Sequence, residues 1–107
     1  MERDIYRQAI QQWGKPLQMI MALEEMSELT KELTKNLRGK SNRFQICEEI
    51  ADVWIMLEQL KEMFDGNGIS VQEQKKAKFE RLKIMLAENP SAEDVVNRKF
   101  KSPPKGH

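Results

Sequence analysis

The chain has 107 residues, enough for one hydrophobic core and too few for two. Hydrophobic residues make up 39% and charged residues 33%, with only five Gly and four Pro, a balance that favours helices over a turn-rich β fold. Eighteen basic and seventeen acidic residues are interspersed to a net charge of +1, which argues against a broad nucleic-acid or membrane footprint.

Taken in order, the first segment predicts a short helix from about Arg3 to Trp13, with Ile5, Ala9 and Ile10 on one side. Gly14 ends it, and Pro16 suits the first turn of the next helix. That second helix should reach Leu37, its main apolar stripe being Met19, Ala22, Leu23, Met26, Leu29, Leu33 and Leu37. At about 100° per residue, Gln18, Glu25 and Glu32 fall together on a second face, with Met21 and Glu28 beside them. The run Leu37–Arg43 reads as a basic connection, with Gly39 at the helix exit and Ser41 or Asn42 as caps for the third helix.

The third helix, about Arg43 to Phe64, presents Ile46, Ile50, Val53, Leu57, Leu60 and Phe64, widened on one side by Met56 and Met63. Glu49 falls on that widened side, where a carboxylate is costly unless paired, protonated or coordinated. Glu48, Glu58 and Glu62 point the other way and read as solvated charges. Cys47, Ala51 and Trp54 form a smaller apolar strip, expected to be covered by another helix or subunit. Asp65-Gly66-Asn67-Gly68 is a turn. A fourth helix from about Ser70 to Ala87 follows, with Lys75 and Lys78 among its inward positions. Pro90 closes it, and Ser91-Ala92-Glu93-Asp94 resembles a capping signature for a short fifth helix to about Phe100. The expectation is an all-α chain with one domain over residues 1–100 and a flexible tail over 101–107. The lone Cys47, the lack of a signal-peptide core and the lack of a membrane-length apolar run point to a cytoplasmic protein.

Two carboxylate pairs carry the chemistry. Glu25 and Glu28 share one helical face, and so do Glu49 and Asp52. Glu25 and Asp52 are equidistant from the Arg38–Gly39 bond, as are Glu28 and Glu49, so a hairpin folded there sets the four carboxylates opposite one another. Such a patch repels itself without cations. An all-oxygen site suits Mg²⁺ or Mn²⁺, and a His-dependent zinc or di-iron site is excluded because the only histidine is His107, in the tail. Bound metal leaves positions for water and substrate phosphates, and Lys75, Lys78 and Arg81 from the fourth helix could balance phosphate charge, as could Arg38, Lys40 and Arg43 from the loop. A single Glu-x-x-Glu is ordinarily a solvated surface. The second pair, the mirrored spacing and the setting of Glu49 favour the metal reading.

Glu25-x-x-Glu28 followed by Glu49-x-x-Asp52 resembles the signature of the MazG-like, all-α nucleoside triphosphate pyrophosphohydrolases. The resemblance extends through Trp13-Gly14 and Gln18 upstream and Lys78-x-x-Arg81-Leu82 downstream, covering about residues 5 to 86, and is nearest to the short, single-unit, phage- or prophage-type members. It implies a four-helix bundle, a homodimer or homotetramer, and Mg²⁺-dependent hydrolysis of an NTP or dNTP to the monophosphate and pyrophosphate. It also implies roles for named residues. Glu25, Glu28, Glu49 and Asp52 match the metal ligands, Lys78 and Arg81 match positions near phosphates, and Trp13 and Gln18 sit where base or sugar contacts would fall. Two alternatives stand beside this reading: a non-catalytic helical interaction or regulatory module, and a relative acting on phosphoribosyl-ATP.

Overall fold

The computed structural model describes residues 1–100, with side chains described as far as residue 97. Five α-helices make up this part of the chain: α1 (Glu2–Trp13), α2 (Lys15–Leu37), α3 (Arg43–Phe64), α4 (Ile69–Glu88) and α5 (Ala92–Phe100). No strand occurs among the described residues. The chain is therefore all-helical, and the five segments expected from apolar spacing are the five observed. Contacts divide it into two units, Met1–Val71 and Gln72–His107. The expectation of one domain over residues 1–100 concerns how these units join, which neither unit addresses alone. The tail expected over 101–107 lies outside the described residues.

The first unit is a helical hairpin with a third helix laid on it. α2 packs chiefly on α3, and α1 lies against both. The turns between helices follow from backbone chemistry. Gly14 joins α1 to α2 at φ 87°, in the left-handed region where a side chain is strained, and its N–H closes on the Ile10 carbonyl at 2.8 Å. Gly39, at φ 98°, ends α2. Its N–H bonds to Asn36 O at 2.9 Å and that of Lys40 to Lys35 O at 3.1 Å, the paired bonds of a Schellman ending. The left-handed turn reverses the chain, so α3 runs back along α2.

Asn42 then stabilises the hairpin in a way that its capping propensity did not suggest. It precedes α3 but makes no side-chain cap for that helix. Instead its Nδ2 reaches across to α2, donating to Glu32 O at 2.8 Å and Glu32 Oε1 at 2.9 Å, while Asn36 Nδ2 donates to its Oδ1 at 3.2 Å. Asn42 is 1% exposed, so each of these bonds replaces water that cannot reach the group. At the other end of α3, Glu62 takes Arg7 Nε at 3.0 Å and also pairs with Arg3, whose guanidinium donates further to Gly66 O. These ties fasten α1 to α3. Asp65 follows, and its carboxylate accepts the first free N–H groups of α4, Ser70 at 3.2 Å and Val71 at 2.8 Å.

The interior of the first unit differs from the apolar stripe that periodicity selects. Ala22 and Met56 are the buried apolar side chains, and Gln18, Asn42 and Gln59 the buried polar ones. α2 turns Gln18 and Glu25 of its mixed face toward α3, and of its main stripe Ala22 is buried. Much of its main apolar stripe stays outside, with Leu23 66% exposed. Leu17, Ile20 and Met21 on the other side are exposed as well, so the apolar period does not select the packed face, which is the one whose polar groups meet partners on α3. On α3, Ile46, Val53, Leu60 and Met63 are half-buried as expected, while Ile50, Leu57 and Phe64 are exposed. The strip of Cys47, Ala51 and Trp54 lines a groove with Tyr6 of α1 on one side, and Trp54 is exposed there.

In the second unit α4 continues to Glu88, with Met85 half-buried. Asn89 takes a left-handed φ of 51° and its N–H returns to Met85 O and Leu86 O, which stops the helix just before Pro90. Ser91 Oγ accepts the Asp94 N–H at 3.1 Å, the cap its sequence signature predicts for α5.

Because the Asn42 amide is sealed from water and holds three bonds, Asn42→Ala should cost about 2–3 kcal/mol of unfolding free energy. Denaturant titration of the two proteins measures this, and a loss below about 0.5 kcal/mol would remove Asn42 as the tie of the hairpin.

Candidate metal centre

Both helices deliver their carboxylates to one place because α2 and α3 pair in the register that a turn at Gly39 imposes. Gln18 Nε2 donates to Gln59 Oε1, and these residues, like Glu25 and Asp52, are equidistant from the Arg38–Gly39 bond. One heptad nearer the turn, Glu25, Glu49 and Asp52 bring an oxygen each to within 4.8 Å of one another. Opposite ligands of one Mg²⁺, each at about 2.1 Å, would stand about 4.2 Å apart. Oxygens within 4.8 Å of one another are near enough to be drawn onto one ion.

Glu28 lies on the same face, half-buried, outside this three-residue group. Its carboxylate pairs with Lys31 at 3.8 Å, a contact across partly exposed helix surface. It is nevertheless near enough to raise the pKa of Glu49.

The electrostatics are those of crowded anions. Glu49 is held above its ordinary 4.5 first by desolvation, then by the charges of Asp52, Glu28, Glu32 and Glu48. Glu25 is raised too, by desolvation first, then by the charges of Asp52, Glu49 and Glu24, and last by a hydrogen bond shared with Asp52. Glu32, one turn beyond Glu28, behaves oppositely: bonds from Asn42 and Lys35 hold it below the ordinary range. Glu49 Oε2 is shielded from solvent and has no hydrogen-bond partner. A shielded carboxylate oxygen without a donor is unusual in a folded protein, where such atoms are ordinarily bonded. An oxygen-only donor set of this kind fits a hard divalent cation. Asp52 is exposed, so the cluster opens to solvent on one side and leaves room for water or an anionic ligand.

Other residues singled out by sequence fall elsewhere. Gln18 is 4% exposed and bonded to Gln59, so its amide is committed inside the hairpin. Trp13, at the end of α1, is 56% exposed. Lys75, Lys78 and Arg81 are exposed on α4 in the second unit. Gln59 was missed by periodicity, which treats glutamine as surface; the available signal was its mirror relation to Gln18 and its place seven residues after Asp52.

No protein-family model matches the chain, and comparison with curated proteins and with solved structures yields no match. No helix among the described residues is long and apolar enough to cross a membrane.

The opposed pKa directions predict a pH profile for the metal-free protein. Glu25 and Glu49 bind protons more tightly when folded, so their stabilisation is full below 4.5 and is lost as pH rises through their raised values. Glu32 and Glu62 stabilise above 4.5 and lose that contribution as pH falls through their lowered values. In chelator, Tm should therefore rise as pH is lowered from neutral toward 4.5 and fall on further acidification. Glu49→Gln should start higher at neutral pH and show a smaller rise. A wild-type Tm that falls steadily from neutral pH would contradict the crowding.

Proposed function

We propose that the protein is a Mg²⁺-dependent nucleoside triphosphate pyrophosphohydrolase of the MazG-like type, acting on an NTP or, more in keeping with pool control, a dNTP. The observation that carries the proposal is the meeting of Glu25, Glu49 and Asp52 across the α2–α3 hairpin, with one shielded oxygen of Glu49 left without a partner. In this reading Glu25, Glu49 and Asp52 hold the cation, Mn²⁺ being able to substitute, and Glu28 joins them by leaving Lys31. The bound cation would neutralise triphosphate oxygens and lower the pKa of a coordinated water.

The chain's own residues supply the rest. A carboxylate of the cluster orients the attacking water, the substrate enters from the open side at Asp52, and cleavage falls between the α and β phosphates. The sequence alone, and no placement relative to the carboxylates, supports proposing Lys75, Lys78 and Arg81 as phosphate contacts and Trp13 as a base contact. Gln18 is better suited to holding the hairpin than to meeting a base, being bonded to Gln59. The finer fold belongs to the same proposal: a four-helix bundle of the MazG-like type, assembled as a dimer or tetramer. What supports assembly is the outward apolar surface of the first unit, including Leu23, Trp54 and Phe64, each at least 65% exposed.

Pyrophosphate release from a panel of NTPs and dNTPs, with Mg²⁺ or with chelator, tests the activity and includes phosphoribosyl-ATP as a separate substrate. Glu49→Gln and Asp52→Asn should each lower turnover by more than about 100-fold, beyond what the outer partners of a metal usually cost. Both variants should also be more stable than wild type in chelator. Lys78→Ala and Arg81→Ala should each lower kcat/KM about tenfold or more. Turnover unchanged in either carboxylate variant removes that residue from the mechanism; no turnover of any substrate favours a helical regulatory module. Light scattering should return a mass of two or four chains, and a monomer at micromolar concentration would exclude the proposed assembly.

A further inference from the structure

The apolar contacts between α2 and α3 are poor at fixing how far one helix slides along the other. Ala22 and Met56 are the buried apolar side chains of the first unit. Alanine offers no shape to interlock, and methionine adapts to many neighbours. A slip of one residue moves a helix by about 1.5 Å and turns it by about 100°. Metal ligands must hold their distances to within about 0.2 Å. Something directional has to set the register.

Two polar ties bracket the carboxylates. Near the loop, Asn42 binds Glu32; Glu32 lies seven residues beyond Glu25, and Asn42 seven before Glu49. At the far end, Gln18 binds Gln59; Gln18 lies seven residues before Glu25, and Gln59 seven beyond Asp52. Each tie therefore stands about 10.5 Å along the helix from the cluster. The loop end is also held by the covalent connection through Gly39. The far end of the hairpin has no such connection, and there the amide pair is buried, at 4% and 6% exposure. Between the ties, the carboxylates push the helices apart.

We propose that Gln18 and Gln59 are positioning residues: their amide–amide hydrogen bond fixes the α2–α3 register so that Glu25, Glu49 and Asp52 form one divalent-cation site before the ion arrives. The inference rests on the metal-site reading above and extends it to two residues outside the site. A buried polar pair is a weak source of stability but a good source of specificity, since replacing both partners with apolar groups of similar shape is nearly neutral or stabilising while the directional bond is lost. Register and stability are thereby separable.

The test is Gln18→Leu/Gln59→Leu in the full-length protein, with Mn²⁺ affinity followed by electron paramagnetic resonance and stability by thermal unfolding in chelator. The double variant should unfold no lower than wild type and bind Mn²⁺ about tenfold more weakly, the lower end of the loss seen when partners outside the ligand shell are removed. Gln59→Glu keeps an acceptor for Gln18 Nε2 and should retain wild-type Mn²⁺ affinity within about threefold. Wild-type affinity in the double Leu variant overturns the positioning role. A marked fall in its unfolding temperature makes the pair structural and overturns the role as well. Weakened binding in Gln59→Glu, matching the Leu pair, also counts against it. If wild type itself binds no Mn²⁺ at millimolar concentration, the metal reading fails first and the positioning proposal falls with it.

Discussion

Carboxylates from two antiparallel helices meet at one level of a hairpin, and the surrounding structure has to hold them there against their own repulsion. Glu25, Glu49 and Asp52 are within reach of a common point, with Glu28 and Glu32 close enough to act on Glu49 electrostatically. Among the described residues, no lysine or arginine is ion-paired with any of the three. The consequence is visible in the protonation of the cluster, where Glu25 and Glu49 are both raised. A hairpin assembled only by apolar contacts would relieve this strain by sliding or opening. The buried ties at Asn42–Glu32 and Gln18–Gln59 oppose both movements.

The same pattern explains why the interior of this unit is polar. A helix pair selected for stability alone would bury Leu23, Met26 and Leu33; here those residues face outward while glutamine, asparagine and glutamate face in. Burying polar groups is tolerable only when each finds a partner. Gln18, Gln59 and Asn42 do so. Glu49 Oε2 is the exception among them. The outward apolar residues then mark surface that a further chain could cover.

Much of this was legible in the residue order. Helix existence followed from apolar spacing, and its ends from the left-handed backbone of Gly14 and Gly39 and from the side-chain caps of Asp65 and Ser91, all of them local rather than distant contacts. The meeting of Glu25 with Asp52 was legible because a hairpin closed by a single glycine turn has few registers available. Less was legible about which face of α2 packs. Both apolar sides of that helix stay largely exposed, and the packed face goes with amide and carboxylate partners on α3 that hydrophobic periodicity ignores. Asn42 was read for its local capping propensity, whereas its side chain serves a contact ten residues back. Glu28 shows a different limit. The spacing puts it on the right face, but a rotamer paired with Lys31 keeps it out of the immediate cluster.

The central claim is that the α2–α3 hairpin forms a divalent-cation site, and anomalous scattering from crystals grown with Mn²⁺ tests it most directly. The account predicts a manganese peak bounded by Glu25, Glu49 and Asp52, at about 2.2 Å from their oxygens. Crystals that contain millimolar Mn²⁺ and show no peak among these three carboxylates would contradict it.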